Sequence, residues 1–125
     1  MSTAQQIYTT AAALMMGGSG EELLPLFFPV LNLLLAENLS CENGLRASEG
    51  LPPLAAAPDV RSLSDEIPYR DALTRVVLPY GAAGLLGVEE DAGAAVGCKN
   101  KYEYERAQLV RGVCEPITDV YGGAG

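Results

Sequence analysis

The chain has 125 residues, enough for one domain with one core, and 49% of them are hydrophobic, as in an ordinary folded protein. Sixteen acidic against eight basic residues give a net charge of −8, which argues against a surface that neutralises nucleic-acid phosphates or docks on anionic lipid. There is no histidine, so the commonest general base and the commonest metal ligand are both missing.

The three cysteines, Cys41, Cys98 and Cys114, are odd in number and widely spaced, with no CxxC pair. They read as thiols in a reducing compartment rather than as a zinc site or redox motif. No basic region precedes an apolar run at the N-terminus, so no signal peptide is expected. The apolar run Leu23–Ala36 is shorter than the ~20 residues of a spanning helix and is interrupted by Pro25, Pro29 and Asn32, which favours a core helix over a membrane segment.

In chain order, Ser2 or Thr3 is placed to cap a first helix whose apolar face is Ile7, Ala11, Leu14 and Met15. Gly17-Gly-Ser-Gly20 should end it, because glycine holds helical geometry poorly. No lysine follows these glycines at phosphate-loop spacing and no strand precedes them, so they are a turn rather than a phosphate cradle. Glu21 and Glu22 suit the start of a second helix, which either kinks at Pro29 or begins near it. Leu26, Phe27, Val30, Leu31, Leu33, Leu34 and Leu35 cover most of its circumference. Such a helix is central to a core or is covered by a neighbouring subunit. Asn43-Gly44 is a stop signal.

Residues 45–63 read as a connector, either a loop or a short β-hairpin, since Pro52, Pro53 and Pro58 exclude a long helix. Leu54, Val60 and Leu63 are its apolar positions and its candidate subunit contacts.

The chain is organised around Ser64–Arg111, read as two helices with an acidic turn between them. Ser64 or Asp65 should cap the third helix, with Glu66 in its first turn, Pro68 near its first position, and Leu73, Val76, Val77 and Tyr80 facing inward. Pro79 should bend it by removing a hydrogen bond to Arg75. Gly81, Gly84 and Gly87 recur every third residue and leave a bare ridge. Each glycine lowers helix propensity by about 1 kcal/mol relative to alanine, which implies a compensating close contact with another helix. Asp91 should cap a fourth helix carrying Ala95, Cys98, Tyr102 and Leu109 on one face and ending at Gly112. The tail 115–125 reads as extended, with Ile117, Val120 and Tyr121 as anchors on the chain itself or on a neighbour. The fold class is therefore mainly α, about four helices in a small bundle over residues 1–114 with an extended tail.

Catalytic signals are weak throughout. Glu89, Glu90 and Asp91 have no accompanying ligand set and read as a solvated cap, so neither metal nor cofactor is expected. Lys99, Lys101 and Arg106 interleave with aromatics, but Glu103 and Glu105 neutralise them, and Lys101 and Glu105 are spaced for a helix-surface ion pair. Serine, threonine and cysteine nucleophiles have no histidine partner.

Ser62-Leu-Ser-Asp-Glu-Ile-Pro-Tyr69, Val77-Leu-Pro-Tyr-Gly-Ala-Ala83, Glu89-Glu-Asp91, Tyr102-Glu103 and Ile117-Thr-Asp-Val-Tyr-Gly122 together resemble a family of small bacteriophage and prophage head–tail connector, or head completion, proteins. The likeness spans the second half of the chain. It implies a mainly helical, non-enzymatic subunit of the virion, or of the bacterial cytoplasm when expressed from a prophage. Such a subunit forms a homo-oligomeric ring beneath the portal, contacts portal and other head–tail proteins, and lets DNA pass without sequence-specific binding. An acidic wall suits that passage. The alternative reading is a small acidic helical adaptor or regulator that binds one partner through Leu26–Leu35.

Overall fold

A computed structural model describes residues 2–15, 23–88 and 91–124, with side chains through 112. The elements are β1 (Ser2–Thr3), α1 (Ala4–Leu14), α2 (Leu24–Glu37), α3 (Leu39–Ser48), β2 (Glu66–Ile67), a π turn (Leu73–Val77), α4 (Leu78–Leu86) and α5 (Ala92–Ala124). The fold is mainly helical.

Thr3 caps α1 in a reciprocal box: its Oγ1 accepts from the Gln6 amide, and the Gln6 side chain accepts from the Thr3 amide at 2.9 Å. Ile7 and Ala11 are buried, while Leu14 and Met15 pack at the core's edge.

The second helix does not begin at Pro29, and it differs from expectation at its end. α2 runs through Pro29, and Asn43-Gly44 lies inside α3 instead of stopping it. The break comes at Asn38, where the axis bends by 51°. The true stop is Gly50, whose φ of 75° is the left-handed conformation glycine adopts without strain.

The third helix starts later than its capping signals suggest. Glu66 and Ile67 pair antiparallel with Thr3 and Ser2, in the register Ser2↔Ile67 and Thr3↔Glu66. Pro68 disfavours helical geometry at the residue before it, which leaves Ile67 extended and free to pair. Asp65 caps a loop turn: its carboxylate accepts from the amides of Arg61 at 2.9 Å and Ser62 at 3.1 Å. The distortion expected at Pro79 falls one turn earlier, as the π turn. There the Leu78 amide donates to the Leu73 carbonyl, and Pro79 follows with no N–H to give.

α4 is the hub, packed against α1, α2 and α5. Leu78, Pro79, Gly81, Ala82, Ala83, Gly84 and Leu86 are all buried, because small side chains let three neighbours approach. The core joins Ile7, Phe27, Leu31, Leu35, Ile67, Leu73 and Leu78, with the Tyr8 and Phe27 rings edge to face at 4.7 Å.

Asp91 caps α5 through its Oδ1, which accepts from the Ala94 amide at 3.0 Å. The helix does not end at Gly112, and the tail is not extended: helical backbone continues to Ala124 through Pro116. A proline removes one hydrogen bond, and the ladder on either side carries the helix past it. Among the described residues, no single helix is long and apolar enough to cross a membrane.

Candidate functional site

The glycine ridge faces α5 and α2. A Cβ on Gly84 would lie 3.0 Å from the Lys99 amide nitrogen, and one on Gly81 would lie 2.9 Å from the Tyr102 ring and 3.1 Å from Leu34. Gly87, just past α4, would meet the Ala83 carbonyl at 2.9 Å. Gly81 and Gly84 are therefore contact surfaces for a neighbouring ring and backbone, while Gly87 is crowded by its own helix and meets Met15 only at 3.5 Å. Pro79 is buried among them at the head of α4.

Along the same seam runs an open trough. Its upper part, about 190 Å³, is floored by Gly81 and Gly84 and walled by Leu33, Leu85, Lys99 and Glu103. Its lower part, about 560 Å³, runs beside Arg106, Val110 and Arg111. Glu37, Tyr102 and Glu103 line both.

A polar knot pins the trough's wall where α2 bends into α3. The Tyr102 hydroxyl donates to a Glu37 carboxylate oxygen. The buried Asn38 side chain donates to the Leu34 carbonyl at 2.9 Å and to the Tyr102 hydroxyl oxygen at 3.0 Å. Arg106 closes the knot on Asn38 Oδ1 at 2.7 Å. Burial first, and the bond to Glu37 second, push the Tyr102 hydroxyl up to about 12. The knot satisfies the helix ends at the bend and fixes α5 there.

The connector is tied down by side chains that imitate a β-ladder. Asn32 donates to the Val60 carbonyl at 3.0 Å and accepts from the Val60 amide at 2.7 Å. Asn43 does the same with Leu54, at 3.1 and 2.8 Å. Glu42 is fully buried and accepts from Arg46 Nε at 2.6 Å and from the Arg70 amide at 2.7 Å. Arg46 reaches on to the carbonyls of Pro52 and Pro68, at 3.2 and 2.6 Å. Tyr69 donates to the Leu35 carbonyl at 2.5 Å, and burial, then the Glu42 charge, push its hydroxyl up to about 12.

Of the candidate contact residues, Val60 is buried, and Leu54 and Leu63 pack partly buried against the same core. They face their own chain and offer a neighbour little surface, and the connector forms neither hairpin nor strand. The side chains of Ile117, Val120 and Tyr121 lie outside the described residues, as do Gly17–Gly20, Glu89 and Glu90.

Of the two readings of the apolar helix, core or partner surface, the structure gives each one half, and the outer face of α2 is uncovered. Leu26, Pro29, Leu33 and Ala36 are all exposed, Leu26 and Leu33 by 58% and 61%. The helix is apolar all round yet buries only the side bearing Phe27, Leu31, Leu34 and Leu35. The run of apolar residues announced an unusual helix, and only the packing shows which half stays uncovered.

Lys101 bonds Glu105 at 3.0 Å and sits 5.5 Å from the Tyr104 ring, a solvated helix face. Burial raises the Cys98 thiol above its ordinary value, which makes it a poor nucleophile. Among the described residues no group of three potential metal ligands comes together. The chain matches no family model, no curated protein and no solved structure.

Proposed function

We propose that this protein is a structural, non-enzymatic subunit of a phage or prophage virion, set at the head–tail interface in an oligomeric ring below the portal. The observation that carries the reading is the uncovered apolar face of α2, with Leu26 and Leu33 more than half exposed beside an open trough. A face of that kind on a compact chain marks a protein contact. The resemblance of Ser62–Tyr69, Val77–Ala83 and Tyr102-Glu103 to head–tail connectors supplies the kind of assembly. The net charge of −8 agrees with a ring wall that does not hold DNA.

Deleting the gene from the phage or prophage is expected to yield heads without tails, seen by electron microscopy. Intact infectious particles would remove this reading. The same α2 face also supports an adaptor that binds one partner, and a stable one-to-one complex formed outside any virion would favour that alternative.

A further inference from the structure

We infer that Asn43-Gly44 is a self-modification site gated by the connector. While residues 51–63 are tied down, Asn43 keeps its side-chain amide. Once those ties open, it cyclises, loses ammonia and leaves a group that the connector cannot clamp again. This chemistry needs no neighbouring molecule.

The reaction is that of an Asn-Gly pair. Of Asn32, Asn38, Asn43 and Asn100, only Asn43 is followed by glycine, and the bare Cα of Gly44 leaves its amide nitrogen unhindered. That nitrogen attacks Asn43 Cγ, the bond from Cγ to Nδ2 breaks, and ammonia departs, which closes a succinimide. Water then opens the ring at one carbonyl or the other, to aspartate or to isoaspartate. Ring closure requires the backbone to swing the Gly44 nitrogen toward Cγ. In α3 that nitrogen belongs to a helical ladder. The Asn43 carboxamide is also engaged twice, accepting from the Leu54 amide at 2.8 Å and donating to the Leu54 carbonyl at 3.1 Å.

This protection depends on the connector, because α3 is weak alone. It has ten residues, fewer than the ~12–15 below which isolated helices are marginal in water, with no side-chain cap at its start and a glycine in its middle. Its side chains are held from outside the helix. Glu42 accepts from the Arg70 amide, Arg46 donates to the carbonyls of Pro52 and Pro68, and Asn43 holds Leu54. Asn32 of α2 holds Val60 and keeps the same segment in place. Helix and connector therefore open as one unit.

The products make the change one-way. Aspartate at position 43 still accepts from the Leu54 amide, but it has no proton to give the Leu54 carbonyl and sets an anionic oxygen against it. Isoaspartate adds a methylene to the main chain and interrupts the ladder of α3.

The test incubates the full chain at neutral pH and follows Asn43 by peptide mapping with mass spectrometry. A reaction confined to an open state follows the population of that state. The native chain is expected to convert at least about tenfold more slowly than the same chain unfolded in urea. Asn32→Ala should convert about tenfold faster than the native chain, while Gly84→Ala, which perturbs the distant α4–α5 contact, should stay within about twofold of it. Gly44→Ala should slow conversion even in urea. Equal rates in the native and unfolded chains overturn the site, as does conversion in urea that Gly44→Ala leaves unchanged. No acceleration by Asn32→Ala, or equal acceleration by Gly84→Ala, overturns the gating by the connector. The latch is read in Asn43→Asp, which trypsin should cut after the exposed Arg61 faster than the native chain; equal cleavage overturns the one-way step.

Discussion

Gly84 and Gly97 are the same residue in two helices, with opposite consequences on substitution. Gly97 has nothing within 4 Å of an added Cβ, so Gly97→Ala should stabilise by about 0.5–1 kcal/mol through helix propensity. At Gly84 the Cβ meets the Lys99 amide nitrogen at 3.0 Å, and backbone in a packed helix yields little. Gly84→Ala should therefore destabilise by about 1–3 kcal/mol, read from denaturant midpoints. The tyrosines set a pH limit. Tyr69 and Tyr102 hold their protons to about 12 in the folded chain, above an ordinary value of 10.0. A raised folded value means a stabilisation fully present below pH 10 and lost as pH rises through 12. Stability should fall across that alkaline window, and the slope should flatten in Tyr69→Phe and Tyr102→Phe variants. Glu42 is the most demanding side chain. Glu42→Ala removes the counter-charge of Arg46 and leaves its Nε and the Arg70 amide without their acceptor, and a loss of about 3–5 kcal/mol is expected in the same denaturation experiment.

At the scale of elements, the connector shows what held the fold beyond the hydrophobic pattern. Its main chain bonds to asparagine side chains instead of a neighbouring strand, so Asn32→Ala or Asn43→Ala should each cost about 1–2 kcal/mol. Either variant should also speed tryptic cleavage after the exposed Arg61; unchanged cleavage would mean that the asparagines do not hold the loop. Much of the architecture was legible beforehand. The periodic face of α1, the Asp91 cap and the glycine ridge are local patterns, and they stand where the spacing put them. Elements decided by distant partners were not legible. Glu66 and Ile67 have good helix-capping neighbours, yet pairing with Ser2 and Thr3 prevailed, helped by Pro68. Asn32 reads in sequence as an interruption of an apolar run, and nothing local marks Glu42; each has a partner 28 positions away that no local window contains. For the candidate surface, the sequence offered two contacts: the connector residues Leu54, Val60 and Leu63, and the over-hydrophobic helix Leu26–Leu35. Packing separates the two: the connector's apolar residues turn inward, and the outer stripe of α2 remains.

For the whole molecule, the exposed stripe of α2 lies in a stretch of chain without cations. The first 45 residues hold every exposed apolar position of α2 and no basic residue, while all eight cations lie from Arg46 onward. In the proposed assembly, that stripe is free to contact a neighbour, and the net charge of −8 disfavours binding to DNA. A structural subunit should tolerate polar substitution on this stripe as a folded chain and fail only in assembly. The most direct measurement is a count of tailed, infectious particles from a phage or prophage lacking the gene and supplied with either the native chain or the Leu26→Ser/Leu33→Ser double variant. Both chains should show the same helical circular dichroism and melt within a few degrees, about what exposed substitutions allow. Tailed particles are expected with the native chain, and tailless heads with the variant. Infectious tailed particles in the absence of the protein would contradict the proposed place at the head–tail interface.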